Sequence, residues 1–374
     1  MPVAVEILDL ESDLESFRSQ WDALAVETGQ PYSSPAWMLA WWRHARPADA
    51  LLRAVVVVEG ERLIGLAPLW VAGDRAGGTR YAMLASRLSP PVRPLAATGR
   101  ENEVAAAIAS ALARSTPRPH ALQLEDESDS TQWAMSLADA WPGRRPWRYS
   151  PAAMAAPAIV LGGLDYDAWL QGRNAKFRQE TRRRRRQLDK AGGRFSLAGE
   201  NDFDSALAAF LRLHRDRWDY RGGSNALVDG IEPMLAEAGR ELLPSERFRL
   251  FTIDVDGEVI CAHVFIAAGS EVSGWNGGFD ASWSRYGPSI LTMLEAVADA
   301  AQRGERRISL GPGDQPYKGT LADERSEISL TTLVPRGAAY PLARARLAPY
   351  QARGELAKRL SPEAKRRVRG LVRR

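Results

Sequence analysis

One order of elements occurs twice along this chain, and that repetition restricts the fold more than any single motif does. In the first copy, Leu14, Phe17, Trp21 and Leu24 recur at helical spacing over 12–28. A turn from Pro31 to Pro35 follows, and Ser34-Pro35 opens a second helix with a serine cap and proline at the first position. LLRAVVVVEGERLIGLAPLWVAG then sets two apolar runs on either side of Glu59-Gly60, the pattern of a strand–turn–strand hairpin. A proline-rich loop (85–99), an alanine-rich helix (101–114) and a strand (121–126) complete the copy. The second copy repeats it: helices at 202–221 and 229–242, a hairpin turning at Asp256-Gly257, a loop (273–288), a helix (289–303) and a strand (306–313). Glu59-Gly60-Glu61 aligns with Asp256-Gly257-Glu258, 197 residues on, and Gly65 aligns with Ala262. Two such copies argue for tandem duplication. The expected fold class is α/β (α+β), each copy a mixed central sheet flanked by helices. The expected divisions are residues 1–152, residues 153–339 and a basic helical tail, 340–374, with helices at 349–360 and 362–372.

The 374 residues suit two domains at roughly 150 residues each. No apolar run reaches the roughly 18 residues of a membrane span, and the N-terminus lacks a secretory pattern. Cys261 is the only cysteine, which excludes a disulfide scaffold and a cysteine-based zinc site. A cytoplasmic location is the expectation. Net charge is +4, unevenly spread. Residues 173–190 hold nine Lys/Arg against Glu180 and Asp189, and residues 340–374 hold eleven against Glu355 and Glu363. Two basic segments on an acidic body point to anionic ligands or surfaces rather than a general nucleic-acid coat, and no DNA partner is expected.

The dense clusters of Gly, aromatic and polar residues lie in the second copy. Function is therefore expected there or at the seam between the copies. Arg285-Tyr286-Gly287-Pro288-Ser289 opens the helix 289–303, where free N–H groups and a helix end suit a phosphate or pyrophosphate; the plain alternative is an ordinary helix start with Ser289 as its cap. LGPGDQPYK follows a strand, offering Asp314 as base, Tyr317 as proton donor and Lys318 as anion clamp; the plain alternative is a capped loop. The arginine-rich helix 173–190 puts Arg178, Arg182 and Arg185 on one face, for an anionic substrate or simply for solvent. WDYRGGS (218–224) offers aromatics to a flat acceptor, or closes a helix end with glycine. His263 is a reserve base beside the loop. The four histidines are too scattered for a metal site, and none is expected. Walker A, Gly-x-Gly-x-x-Gly and Gly-x-Ser-x-Gly patterns do not occur.

These segments together resemble the GNAT acyltransferase fold. The match is carried by SPAWMLAWW (34–42), NAKFRQETRRRRRQLDKAGG (174–193), AHVFIAAG (262–269), WNGGFD with RYGPSILTMLEA, and LGPGDQPYK with LVPRGAAYPLARARL. The doubled arrangement is similar to the Fem-like branch and, more closely, to CelD/BcsL-type acetyltransferases linked to exopolysaccharide or cellulose production. The resemblance implies an acyl-CoA, such as acetyl-CoA, held by residues 285–289, and an amine or hydroxyl acceptor on a saccharide or cell-envelope precursor. Lys176, Arg178, Arg182, Trp275, Asn276 and Lys318 are the candidate acceptor contacts, and Asp314, Tyr317 and His263 the acid–base candidates, in that order. The usual GNAT loop reads Gln/Arg-x-x-Gly-x-Gly/Ala; here it is Ser284-x-x-Gly287-x-Ser289, with Arg285 one place off. The Fem branch uses aminoacyl-tRNA, so tRNA-dependent peptide-bond formation is the second reading. A non-enzymatic scaffold in polysaccharide assembly, or one lying on an anionic membrane through its tail, is the third. The resemblance also allows one half to be catalytically silent, a role the first half fits.

Overall fold

The structure is a computed structural model that describes residues 2–73, 78–88, 90–128, 130–151, 153–219 and 226–359. The first half runs β1 (Val3–Leu8), α1 (Glu11–Glu15), α2 (Arg18–Glu27), α3 (Pro35–His44), β2 (Leu51–Glu59), β3 (Arg62–Gly73), β4 (Thr79–Met83), β5 (Leu95–Ala96), α4 (Glu101–Arg114), β6 (Ala121–Glu127), α5 (Trp133–Asp139) and β7 (Trp147–Tyr149). The second runs β8 (Met154–Val160), α6 (Tyr166–Gln171), α7 (Ala175–Lys190), β9 (Arg194–Leu197), α8 (Phe203–Asp219), α9 (Ile231–Leu242), β10 (Phe248–Val255), β11 (Glu258–Ala268), β12 (Glu271–Phe279), α10 (Pro288–Gln302), β13 (Arg307–Ser309), α11 (Pro316–Leu321), β14 (Glu324–Val334) and α12 (Tyr340–Arg359).

The duplication is plain in the pairing. Each half has an antiparallel hairpin, β2–β3 or β10–β11, with a register shift near its turn, at Val57/Val58 and at Ile253/Asp254. In each, a crossover helix then links a parallel pair, β4–β6 through α4 and β12–β13 through α10. The halves are tandem GNAT-like units in one mixed sheet, because β14 hydrogen-bonds to β6 of the first half and to β8 of the second.

Burial follows the same plan. Helices α2, α3, α8 and α9 enclose a core continuous across both halves, where Trp37 of α3 meets Trp275 of β12 edge-on at 5.8 Å. Helices α6 and α10 cover the opposite face of the second half's sheet over Ile159, Phe265, Val272 and Ile308. No described helix is long and apolar enough to cross a membrane.

Several expectations need correction. The helix over 12–28 is broken, since the Ser16 hydroxyl turns back to donate to the Asp13 carbonyl (2.6 Å). The expected loop 273–288 contains a central strand, β12, whose Gly274, Gly277 and Gly278 disguise it. Those glycines answer packing demands: a Cβ on Gly277 would lie 2.5 Å from the His263 ring nitrogens, and one on Gly278 2.6 Å from the α8 backbone. Helix 349–360 is part of a longer helix starting at Tyr340, and the expected helix 362–372 lies outside the described residues.

Candidate active site

Strands β12 and β13 run parallel only from Glu271 with Arg307 to Ser273 with Ser309. Beyond that they part. β12 continues along β11, while the chain after Ser309 turns away through Gly311. Where they part, β12 bulges: Val264 pairs with Asn276 and Phe265 with Gly274, leaving Trp275 as the extra residue. A cavity of about 360 Å³ fills the split.

Five residues singled out in the sequence line this cavity: His263, Trp275, Asn276, Tyr317 and Lys318. Lys318 is buried, and its Nζ donates to the carbonyls of Gly311 (3.1 Å) and Pro312 (2.9 Å). Burial lowers its pKa to about 8. Burial also raises the Tyr317 phenol above its ordinary value, so it keeps its proton. His263 shares a 2.9 Å hydrogen bond with the Ser289 hydroxyl; burial, then Arg217 and His214, lower its pKa to about 3. It is a neutral imidazole and a poor base.

Asp314 does not join them. It is exposed on the turn before α11 and outside the cavity lining, which removes the geometric ground for choosing it as base. Ser289 does not cap α10. Gly287 is the cap, in the left-handed region at φ +63°, and the Ser289 hydroxyl is turned to His263 instead. Pro288 is buried at the first helical position. Arg285 donates to the Tyr286 hydroxyl (2.6 Å) and stacks over its ring.

Helix α7 packs against this turn. Arg184 lies over Gly287, where a Cβ would come 2.5 Å from its Nη1. Arg178 is tied to the carbonyls of Gln171 and Arg173, and Arg185 to Glu295. The shared face expected of Arg178, Arg182 and Arg185 is thus largely consumed by the fold. Lys176 and Arg182 are exposed.

The site lies at the seam between the halves, one of the two places expected, but none of the first-half residues that close it was singled out in the sequence. Arg87, Leu88 and Pro90 form one wall, and the Trp275 indole N–H donates to the Leu88 carbonyl (3.0 Å). The buried Glu125 carboxylate holds that loop by accepting from the N–H groups of Arg87 (2.7 Å) and Val92 (3.2 Å). Arg217 also lines the cavity. Arg217 was not singled out in the sequence; in the segment WDYRGGS just after it, Trp218 lines the cavity while residues 220–224 lie outside the described residues.

The sequence model described as "Acetyltransferase (GNAT) domain" matches residues 175–319, which hold the whole parallel split and its bulge. The chain carries a GNAT acyltransferase domain. No curated relative matches the sequence. Among solved structures, FemX is similar in fold at 11% identity with a TM-score of 0.64, covering 91% of this chain and 99% of its own. L-PGS from Bacillus licheniformis is similar at 12% identity and TM-score 0.55, covering 91% and 97%. The C-terminal domain of a putative lysylphosphatidylglycerol synthetase from Agrobacterium fabrum is similar at 9% identity and TM-score 0.53, covering 90% and 95%. All three span nearly both halves, so the doubled architecture, and not the GNAT domain alone, is shared.

Proposed function

We propose that this chain is a cytoplasmic enzyme that transfers an acyl group, acetyl in the simplest case, from acyl-CoA to an amine or hydroxyl of a saccharide or related cell-envelope or exopolysaccharide precursor. One observation carries the reading. The bulged split of β12 and β13 opens a cavity lined by Tyr317 and Lys318, joined through His263 and Ser289 to the glycine turn heading α10.

The residues present fit such a donor. Gly287 leaves room that a side chain would fill, beside the N-terminus of a 15-residue helix and under the Arg184 guanidinium. A pyrophosphate is suited by that combination of helix end and cation. Arg184, Arg285 and residues 286–289 would hold it, and the bound donor supplies an activated thioester carbonyl.

Lys318 then faces the carbonyl oxygen as it gains charge and stabilises it electrostatically. Tyr317 gives its proton to the departing thiolate. The acceptor forms the new C–N or C–O bond and loses one proton, which restores Tyr317, so the net transfer is from acceptor to thiol. His263, with its low basicity, positions Ser289 at the head of α10.

Calorimetry with acetyl-CoA tests the reading. Binding is expected, and Gly287→Val is expected to abolish it, since valine brings both left-handed strain and a clash with Arg184. Absence of heat and of any melting shift with the native chain would sink the donor assignment. A second reading, aminoacyl-tRNA as donor, is favoured by the exposed Lys176, Arg182 and Arg186 on α7, beside the same turn. It requires RNA binding with a steep salt slope.

A further inference from the structure

A second cavity, of about 500 Å³, lies at the seam on the same two strands. It takes the residues one step earlier: Ser273 and Ser309 line it, whereas Gly274 and Leu310 line the first, and Pro90 borders both. Glu271 and Arg307 extend it along β12 and β13, and Arg93 comes from the first half.

Its two arginines are not equivalent. Arg307 is satisfied, with its nitrogens on Glu271 (2.7 Å), Glu127 (3.0 Å) and Glu324 (3.4 Å). Among the described residues Arg93 makes no ion pair and no side-chain hydrogen bond, and its Nε is sealed from solvent without a partner there. Burial pushes its pKa down, and Glu127, Asp126 and Glu271 offset that only at longer range. Meanwhile the Arg93 backbone is fixed at both N and O by the Ser33 hydroxyl (3.2 Å each), so the side chain is held in place rather than left over. Arg93 is half-buried overall, and its sealed Nε, a desolvated donor without a partner, costs stability and returns none. It is accounted for when a ligand completes it.

The surroundings select the ligand's chemistry. Donors from Arg93 stand near carboxylates of Glu27, Glu271 and Glu324 and hydroxyls of Ser130 and Ser270. An anion would meet the carboxylates and a cation would meet Arg93. A neutral polyol accepts from one and donates to the others. We propose that the seam cavity binds a neutral sugar unit through Arg93, beside the acyl-transfer cavity. Its role as acceptor rests on the acyl-transfer reading; the binding itself does not.

The test is calorimetry and saturation-transfer NMR on the full chain with glucose, N-acetylglucosamine and cellobiose, against glucuronate and glucosamine as charged probes. Binding of a neutral sugar is expected. Arg93→Met is expected to weaken it about tenfold or more, with melting temperature held or raised and acetyl-CoA affinity unchanged. Should Arg93→Met melt early, Arg93→Lys, which keeps the charge and loses the fork, is expected to show the same weakening. No neutral sugar bound, binding indifferent to both substitutions, or binding confined to the charged probes would overturn the proposal. Sugar binding without any acetyl-CoA binding would leave it standing and remove only the donor assignment.

Discussion

Lys318→Met is expected to lower kcat/KM by about 100-fold or more, the scale of losing one preorganised donor at a developing oxyanion. The Lys318 ammonium has three N–H donors, and two are committed to the Gly311 and Pro312 carbonyls. Those bonds aim the third. Methionine keeps the apolar stem and removes the charge. The pH profile checks the role independently. Protonated Lys318 is the active form, so kcat falls as pH rises through about 8 in the native chain, and this limb vanishes in the variant. Stability runs the other way over the same limb. The folded pKa is depressed, so between about 8 and the ordinary 10.5 the unfolded chain holds a proton the folded chain has lost, and stability rises with pH. Activity that falls where the protein grows more stable is therefore not unfolding. A variant with unchanged kcat/KM, or one that retains the alkaline limb, would remove Lys318 from the chemistry.

The duplicated plan was legible because hairpins and crossover helices leave local marks. Apolar runs around Glu59-Gly60 and Asp256-Gly257 and the alanine-rich helix at 101–114 all correspond to elements of the structure. Five of the chosen site residues meet in one cavity for a related reason: four crowd the short segments on either side of the β12–β13 split, and His263 lies on β11, the neighbour of β12. Two things were not legible. Strand β12 hides behind glycines that serve neighbours distant in sequence, His263 and the α8 backbone, so period and propensity both read it as loop. The contribution of the first half is a matter of docking alone. Arg87, Leu88, Pro90 and Arg93 lie in a proline-rich stretch whose only local signal is turn formation, and the partners of Arg87, Leu88 and Arg93, namely Glu125, Trp275 and Ser33, are 38 to 187 residues away. Asp314 shows the reverse error, since a carboxylate beside a strand end looks catalytic until the turn carries it into solvent.

Docking of the halves can be tested at one glycine. Gly230 caps α9 with φ +80° and lies against the end of α3, where an added Cβ would be 2.6 Å from the His44 carbonyl carbon and 3.0 Å from the Ala45 Cα. Nothing there can turn aside, because the obstruction is backbone. Gly230→Ala is expected to destabilise the protein by about 3–5 kcal/mol, combining left-handed strain with overpacking. That corresponds to a melting temperature lower by roughly 5–10 °C. Gly257→Ala is the control: it has φ +84° and nothing within 4 Å of the new Cβ, so it carries the strain without the clash and is expected to cost only about 1 kcal/mol. The loss at Gly230 also reaches the site. The Trp275 indole is anchored to the first half at Leu88 and packed on Trp37 of α3, the helix whose end Gly230 touches. A wedge between α3 and α9 therefore displaces one wall of the acyl cavity, and KM for the acyl donor is expected to rise even below the melting transition. Equal melting temperatures for the two variants would mean that α3 and α9 do not hold the halves together as closely as described.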